Sequence, residues 1–217
     1  KDLDVMFLRN DEIAVITPNK IEVFDASSSP VHKNTERLTN EPVAICKNGY
    51  AHFMLKEICE QPQTIHQAFH NRFIPDFGTA EFEHLTFSPS DLLAIRRIVI
   101  LACGTSWHAG QIAASLLEDK ARIPTQAEIA SEFRYKNPII SENTLVIAIS
   151  QSGETLDTIA AVREVKSKGA KVLGICNVRN STLSREADCT LFLRAGPEIS
   201  VCSTKAFTSQ LTVLSLF

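Results

Sequence analysis

Residues 145–177 read LVIAISQSGETLDTIAAVREVKSKGAKVLGICN, and this stretch decides the fold. An apolar run at 145–150 leads into a helical pattern, and a second apolar run begins after Gly169. The helical part closes with lysines and a glycine, which is typical of a helix C-terminus. Because the two runs are apolar at successive positions, the pattern predicts two strands buried on both faces and joined by a helix.

The same alternation of strand and helix extends on both sides of this stretch. Further strands are predicted at 97–103, 125–130 and 189–195, and further helices at 104–120 and from about Thr204. Together they predict an α/β fold, in which a parallel sheet is flanked by helices on both faces in a Rossmann-like, three-layer arrangement. In such folds ligands bind beyond the carboxyl ends of the strands.

Three segments at that edge of the sheet are rich in small hydroxyl residues: CGTS (103–106), SQSGET (150–155) and SVCSTK (200–205). Each opens a predicted helix, whose first N–H groups lack partners and carry partial positive charge. A phosphate held there needs no basic side chain. Any one segment alone is more typical of a helix cap, with Ser152 as the cap and Lys205 as a solvated residue. Three such segments at one edge favour a small phosphorylated ligand.

Other chemistry finds less support in the sequence. His66 and His70 stand four apart on one predicted helical face, as metal ligands do, but no third ligand is evident. Cys103 and His108 could form a thiol nucleophile and its base, but no orienting acid is evident. Neither GxGxxG nor GxxxxGK[ST] occurs in the chain. We therefore predict no metal and no cofactor.

Composition narrows the class of protein further. The net charge is −3, with 22 Lys and Arg against 25 Asp and Glu, so no surplus of positive charge favours a nucleic-acid partner. No apolar run reaches the roughly 18 to 20 residues of a membrane span. The six cysteines form no CxxC pair. These features predict a protein of the reducing cytoplasm.

The first part of the chain has a different character. Residues 1–25 alternate as strands do, with a hairpin signal at TPNK, and residues 26–50 are polar and predict a linker. Residues 51–88 predict a helical lead-in, whose helix we expect to be interrupted at Pro62. The final pattern, AFTSQLTVLSLF, has no stop signal, so we expect the chain to be a piece of a longer protein.

Several segments together carry a family resemblance. ILACGTSWHAG, EIASEFRY, ISQSGETLDT, LGICNVRNSTLSREAD and EISVCSTKAFTSQL closely resemble the isomerase part of the glutamine–fructose-6-phosphate aminotransferase family. HFMLKEICEQPQTI is similar to the segment that precedes this part, and VITPNKIEVFD is more weakly similar to the end of its glutaminase domain. The SxSGxT pattern alone is shared by sugar isomerase (SIS) domains generally. The resemblance implies a glutaminase remnant at 1–25, a linker at 26–50, a lead-in at 51–88 and a first SIS domain at 89–217, truncated in its last helix.

The resemblance also implies a function in amino-sugar biosynthesis. Enzymes of this family release ammonia from glutamine in an N-terminal domain and use it on two SIS domains to convert fructose 6-phosphate into glucosamine 6-phosphate. The residues that match the family's phosphate contacts are Thr105, Ser106, Ser150, Gln151, Ser152 and Thr155, and those that match its sugar contacts are Val201 and Ser203. The resemblance gives no role to Glu198.

No catalytic residue of the family falls within this chain. Its isomerising glutamate, ring-opening histidine and Schiff-base lysine belong to the second SIS domain and the tail, and its glutaminase nucleophile belongs to the N-terminal domain. We therefore expect the 217-residue chain alone to bind sugar phosphate weakly and to turn over nothing. The family resemblance further implies a homodimer, with glutamine as the substrate of the N-terminal domain.

Two alternatives remain open at this stage. One is a non-catalytic SIS domain that binds a phosphosugar and regulates a partner. The other is a stand-alone aldose–ketose phosphate isomerase, which would need its base within this chain. The nearest candidates for that base are His108, Glu154 and Glu198.

Overall fold

The structure, a computed structural model, describes residues 3–38 and 46–217. The chain divides into two compact units, residues 1–46 and residues 47–217. No helix in the described parts of the chain is long and apolar enough to cross a bilayer.

The first unit is built from short antiparallel strands. The strands are β1 (Leu3–Val5), β2 (Glu12–Thr17), β3 (Lys20–Asp25), β4 (Pro30–Val31) and β5 (Glu36–Leu38). Strands β2, β3 and β4 form one sheet, and β1 pairs with β5. The predicted hairpin at TPNK is confirmed, because Thr17 pairs with Lys20 across the turn between β2 and β3.

Strands β4 and β5 lie inside the segment that the sequence assigned to a linker. The Asp25 carboxylate accepts hydrogen bonds from the amides of Ser27 and Ser29, at 2.8 and 2.9 Å, and so turns the chain back beside β3. Polar turn residues of this kind resemble a linker in the sequence because their bonds are local. Residues 39–45 of that predicted linker lie outside the described residues.

The second unit begins with a long helix, α1 (Phe53–Phe69), followed by a small antiparallel pair, β6 (Phe73–Ile74) and β7 (Thr79–Ala80), around a 3-10 turn at Pro75–Phe77. The expected interruption at Pro62 is wrong, because α1 runs through it. Proline cannot donate to the carbonyl four residues earlier. The side-chain amide of Gln61 donates to that carbonyl, on Ile58, at 3.0 Å and satisfies it instead.

The remainder forms the α/β domain that the sequence predicts. Its strands are β8 (Arg97–Ala102), β9 (Thr125–Ile129), β10 (Thr144–Ser150), β11 (Lys171–Cys176) and β12 (Cys189–Phe192). Its helices are α2 (Pro89–Ala94), α3 (Gly104–Lys120), α4 (Ala130–Phe133), α5 (Leu156–Ser167), α6 (Thr182–Glu186) and α7 (Lys205–Leu216), with a 3-10 turn at Arg134–Lys136. The five strands are parallel, in the order β12-β11-β10-β8-β9.

Both faces of this sheet are covered, which confirms the prediction of doubly buried strands. On one face Ile100 of β8 and Ile147 of β10 belong to a core that includes residues of α3 and α7. On the other face Leu101 and Val146 belong to a core that includes residues of α5. Every residue of β10 is buried, and this explains why its sequence shows no alternation.

The strand order places the ends of β8 and β10 side by side. The chain leaves β8 for the edge strand β9 and then returns to β10 on the other side of β8. Such a reversal of direction opens a crevice at the carboxyl ends of the two central strands. Leu101 pairs with Ala148, so the turns that follow these strands emerge next to each other.

Arg72 joins α1 to the end of this sheet. Its side chain is 4% exposed and lies over the Phe82 ring. Its guanidinium donates to the carbonyls of Ala68, in the last turn of α1, and Phe192, at the end of β12, at 2.9 and 2.6 Å. Burial, with the nearby charge of Arg194, lowers the pKa of Arg72 to about 10. The cation stays charged because these carbonyls and the negative helix end take the place of water.

We expect Arg72→Met to lower the free energy of unfolding by about 2 kcal/mol, because it leaves two carbonyls at a buried junction without their donors. Arg96→Met is the matched control, since Arg96 also donates to two carbonyls, those of Leu93 and Ile95, but is exposed to solvent. Urea unfolding followed by circular dichroism measures both. Equal losses in the two variants would contradict the role given to Arg72.

Candidate functional site

The turn after β10 gathers three of the predicted site hydroxyls. The Ser150 hydroxyl accepts a hydrogen bond from the Gly153 amide at 3.0 Å and lies 2.8 Å from the hydroxyl of Thr155. The Ser152 hydroxyl accepts the Glu154 amide at 3.1 Å. Ser150 is buried, whereas Ser152 and Thr155 are partly exposed. The turn therefore presents hydroxyl groups to solvent at the carboxyl end of a central strand.

The alternative interpretation, in which Ser152 caps the following helix, does not hold. Helix α5 begins at Leu156 with Thr155 as its N-cap, and no side chain among the described residues caps it. The Thr155 hydroxyl instead bonds to that of Ser150. Helix α3, whose N-cap residue is Cys103, likewise has no side-chain cap among the described residues. Both helices thus keep first-turn amides available to an anion.

Neighbouring backbone holds the turn in place. The Gly153 carbonyl accepts the Leu183 amide at 2.9 Å, and the Glu154 carboxylate accepts the Thr182 amide at 2.7 Å. Gly153 has a φ of +67°, and a Cβ there would overlap the Ser181 side chain. Only glycine suits this close approach. Glu154 is thereby directed to the start of α6 and not to the hydroxyl cluster.

The turn after β8 carries Thr105, which is exposed, and Ser106, which is 7% exposed. The side-chain amide of Gln210, on α7, donates to the Ser106 hydroxyl oxygen at 2.9 Å. Gln210 is fully buried, and the sequence analysis missed it because its partner lies 104 positions away. Since the oxygen of Ser106 already accepts a bond, its proton remains available for another acceptor.

The loop before α7 carries the other two predicted residues. Val201 is fully exposed, and the Ser203 hydroxyl is buried with no hydrogen-bond partner in the described chain. The Glu198 carboxylate accepts the amides of Thr204 and Ala206 at 2.9 and 3.1 Å and so caps α7. Because a carboxylate already occupies this helix end, a phosphate is not favoured there.

The expectation that Lys205 is solvated is also wrong. Lys205 is 4% exposed, and its ammonium group pairs with the Glu60 carboxylate of α1 at 2.7 Å. A lysine in the first turn of a helix is disfavoured by the helix dipole. The ion pair to α1 offsets that cost, and it could not be inferred from residues adjacent in sequence.

Glu57 is a second residue that the sequence analysis missed. It lies on the buried face of α1, is 2% exposed, and accepts the amides of Ile199 and Ser200 at 2.7 and 3.2 Å as well as the Ser200 hydroxyl. Burial raises the pKa of Glu57, but these hydrogen bonds outweigh it and hold the pKa below its ordinary value. Its spacing from Thr64 and Ala68, the other buried residues of α1, was the available signal.

A cleft of about 520 Å³ opens beside the turn after β10 and is lined by polar groups that include Gln151, Asn177 and Glu198. The backbone amide of Asn177 donates to the backbone carbonyl of Gln151 at 3.0 Å, and this bond fixes the backbone of the turn at the cleft wall. The Asn177 side-chain amide already bonds to the Gly196 carbonyl and the Ala195 amide, whereas the Gln151 side-chain amide can donate to and accept from sugar hydroxyls.

The other candidate groups do not assemble into a site. The rings of His66 and His70 stack at 5.2 Å on the exposed face of α1, and no group of three metal-binding side chains occurs among the described residues. His108 packs against Trp107, with ring centroids 4.9 Å apart.

Comparison with known proteins gives three consistent findings. The SIS domain family matches residues 91–217. A glutamine–fructose-6-phosphate aminotransferase (isomerizing) of Methanosarcina acetivorans is 46% identical to this chain, over 98% of the chain and 34% of that protein. The protein of the same name from Caldanaerobacter subterraneus is also 46% identical, over 98% of the chain and 35% of that protein. The C-terminal domain of glucosamine-fructose-6-phosphate aminotransferase from Francisella tularensis has a TM-score of 0.72 and 40% identity, covering 79% of this chain and 48% of that one. The chain thus spans about a third of the length of these curated relatives.

The two glycines of the helix-opening turns allow a matched test of the packing. Gly104 and Gly153 both have a positive φ, but only a Cβ on Gly153 meets another residue. We expect Gly104→Ala to lower the free energy of unfolding by about 1 kcal/mol and Gly153→Ala by about 3 kcal/mol. Chemical denaturation measures both. Equal losses of stability in the two variants would mean that the Ser181 side chain moves aside and that packing against α6 does not fix the turn.

Proposed function

The chain belongs to the SIS domain family, and we propose that it binds a phosphorylated hexose at the turns after β8 and β10. The observation that carries this proposal is the uncapped start of α5, next to the hydroxyls of Ser150, Ser152 and Thr155. An anion there receives helix amides and neutral hydroxyl donors in a setting with partial positive charge. Each such bond to a charged group contributes about 1.5 to 3 kcal/mol.

The phosphate and the sugar of the proposed ligand contact different parts of the site. In this proposal the phosphate rests against Ser150, Ser152 and Thr155, with Thr105 and Ser106 contributing from the neighbouring turn. The unused proton of Ser106 supports that contribution. Gln151, on the wall of the cleft, is among the phosphate contacts that the family resemblance implies. Val201 and Ser203, in the loop before α7, line the sugar. The Glu198 cap favours this division because it disfavours a phosphate at the start of α7.

The names of the relatives indicate the reaction. We propose that the chain is part of a glutamine–fructose-6-phosphate aminotransferase, with fructose 6-phosphate and glucosamine 6-phosphate as its ligands and with glutamine as the nitrogen donor at a domain outside the chain. Residues 1–25, 26–50, 51–88 and 89–217 are then the end of the glutaminase domain, a linker, a lead-in and the first SIS domain. The homodimer and the cytoplasmic location stay predictions.

A stand-alone isomerase is less consistent with the geometry. Such an enzyme would need a free base within the chain. Glu154 and Glu198 both accept backbone amides that open helices, so each has a structural role already. The third candidate, His108, is exposed and packs against the Trp107 ring. The chain therefore fits a binding portion of the reaction better than its acid–base portion.

Replacing Ser152 or Thr155 by alanine in the complete enzyme tests the phosphate site. We expect the KM for fructose 6-phosphate to rise ten- to a hundredfold, because each variant loses about one charge-assisted hydrogen bond. Ser115→Ala is the control, since Ser115 is an exposed serine within α3 whose hydroxyl donates to Gln111. Steady-state kinetics with saturating glutamine measures all three. Unchanged KM values in both test variants would mean that these hydroxyls serve only the fold.

A further inference from the structure

Helix α1 lies outside the residues that the SIS family matches, yet it supports a predicted sugar-contacting loop. Two of its carboxylates reach the segment 198–205, which contains Val201 and Ser203. Glu57 accepts the backbone amides of Ile199 and Ser200 and the hydroxyl of Ser200. Glu60 pairs with Lys205. The helix also packs against α7, which follows the loop.

We propose that Glu57 is a positioning residue for sugar recognition, which sets the backbone of the loop carrying Val201 and Ser203 without touching the ligand. This inference rests on the proposed function. Glu57 holds the two residues just before Val201, and Glu198 holds the amide of Thr204, just after Ser203. Both ends of the short stretch between them are therefore fixed by carboxylates.

The chemistry of Glu57 suits this task. A buried carboxylate is costly unless several donors converge on it, and three donors do so here. The same bonds satisfy two loop amides that have no backbone acceptor among the described residues. Replacing the carboxylate by an apolar group of similar length leaves these amides partly buried and unpaired, so the loop must move to find other partners.

The phosphate turn does not depend on this arrangement. The hydroxyls of Ser150 and Thr155 bond to each other, and the turn bonds to α6 through the Gly153 carbonyl and the Glu154 carboxylate. Loss of Glu57 should therefore impair contacts to the sugar while the contacts to phosphate persist. Such a selective loss separates a positioning role from a general weakening of the fold.

The test compares two probes on the complete protein that contains this chain, without glutamine. Calorimetry measures the affinity for fructose 6-phosphate, and phosphorus NMR titration measures the affinity for inorganic phosphate. We expect Glu57→Met to weaken fructose 6-phosphate binding about tenfold and to change phosphate binding less than about twofold. We expect Glu57→Gln to stay within about threefold of wild type for both, because its amide oxygen can still accept the two loop amides.

Two further variants complete the design. Glu118→Met is the matched control, because Glu118 accepts the Thr125 amide at 3.1 Å at the opposite edge of the sheet, and both affinities should be unchanged. Ser200→Ala removes one bond to Glu57 and leaves the carboxylate in place, so we expect fructose 6-phosphate to bind about threefold more weakly. If Glu57→Met does not fold, the affinities of Ser200→Ala for the two ligands test the inference instead.

The outcomes are distinct. Selective loss of fructose 6-phosphate binding in Glu57→Met, with recovery in Glu57→Gln, supports the inference. Equal loss of both ligands in the test variants, or no loss of either, overturns it and leaves the proposed function standing. A wild-type protein that binds neither ligand overturns the proposed function, and the inference with it.

Discussion

The parallel pairing of β8 with β10 is the constraint on which the proposed site depends. Leu101 pairs with Ala148, so the two central strands end together and the segments that lead into α3 and α5 leave the sheet next to each other. Complete burial of β10 on both faces fixes its position, since a shift of register would have to displace both cores. The site therefore inherits its geometry from the sheet, and the two turns need to supply only hydrogen-bonding groups.

The helix starts around this site are of two kinds, and the difference decides whether an anion is favoured there. The starts of α3 and α5 have no side-chain cap within the described chain, whereas α7 is capped by the carboxylate of Glu198. An uncapped end favours an anion, and a carboxylate cap opposes one. In the proposed binding mode, this difference favours one orientation of the phosphosugar, with its hydroxyl-bearing end toward the loop before α7.

The sequence was sufficient for the sheet because its signal is local. Apolar runs such as 145–150 predict doubly buried strands wherever they occur, and most strands and helices of 97–217 were predicted near their observed bounds. The short helix α4 was not predicted, and β12 ends three residues before the predicted strand does. The other errors concern bonds between distant residues. Ser152 was interpreted, in the alternative, as the cap of α5 and Lys205 was expected to be solvated, because the Ser150–Thr155 bond and the Glu60 carboxylate cannot be inferred from neighbouring residues. The positions of the predicted ligand contacts follow from the fold, but their roles depend on a ligand.

Three carboxylates near the proposed site, one buried and two at least partly exposed, follow one principle. Glu57, Glu154 and Glu198 each accept backbone amides at the start of a helix or in a loop next to the site. Neutral hydroxyls could satisfy the same amides, but a carboxylate offers more acceptor positions and stronger bonds, so one residue can fix two successive amides. Negative charge is thus used to hold the surroundings of the site, and the uncapped helix starts stay free for the negative charge of the ligand. Rigid surroundings of this kind would reduce the ordering cost of binding the small, flexible phosphosugar that we propose as the ligand.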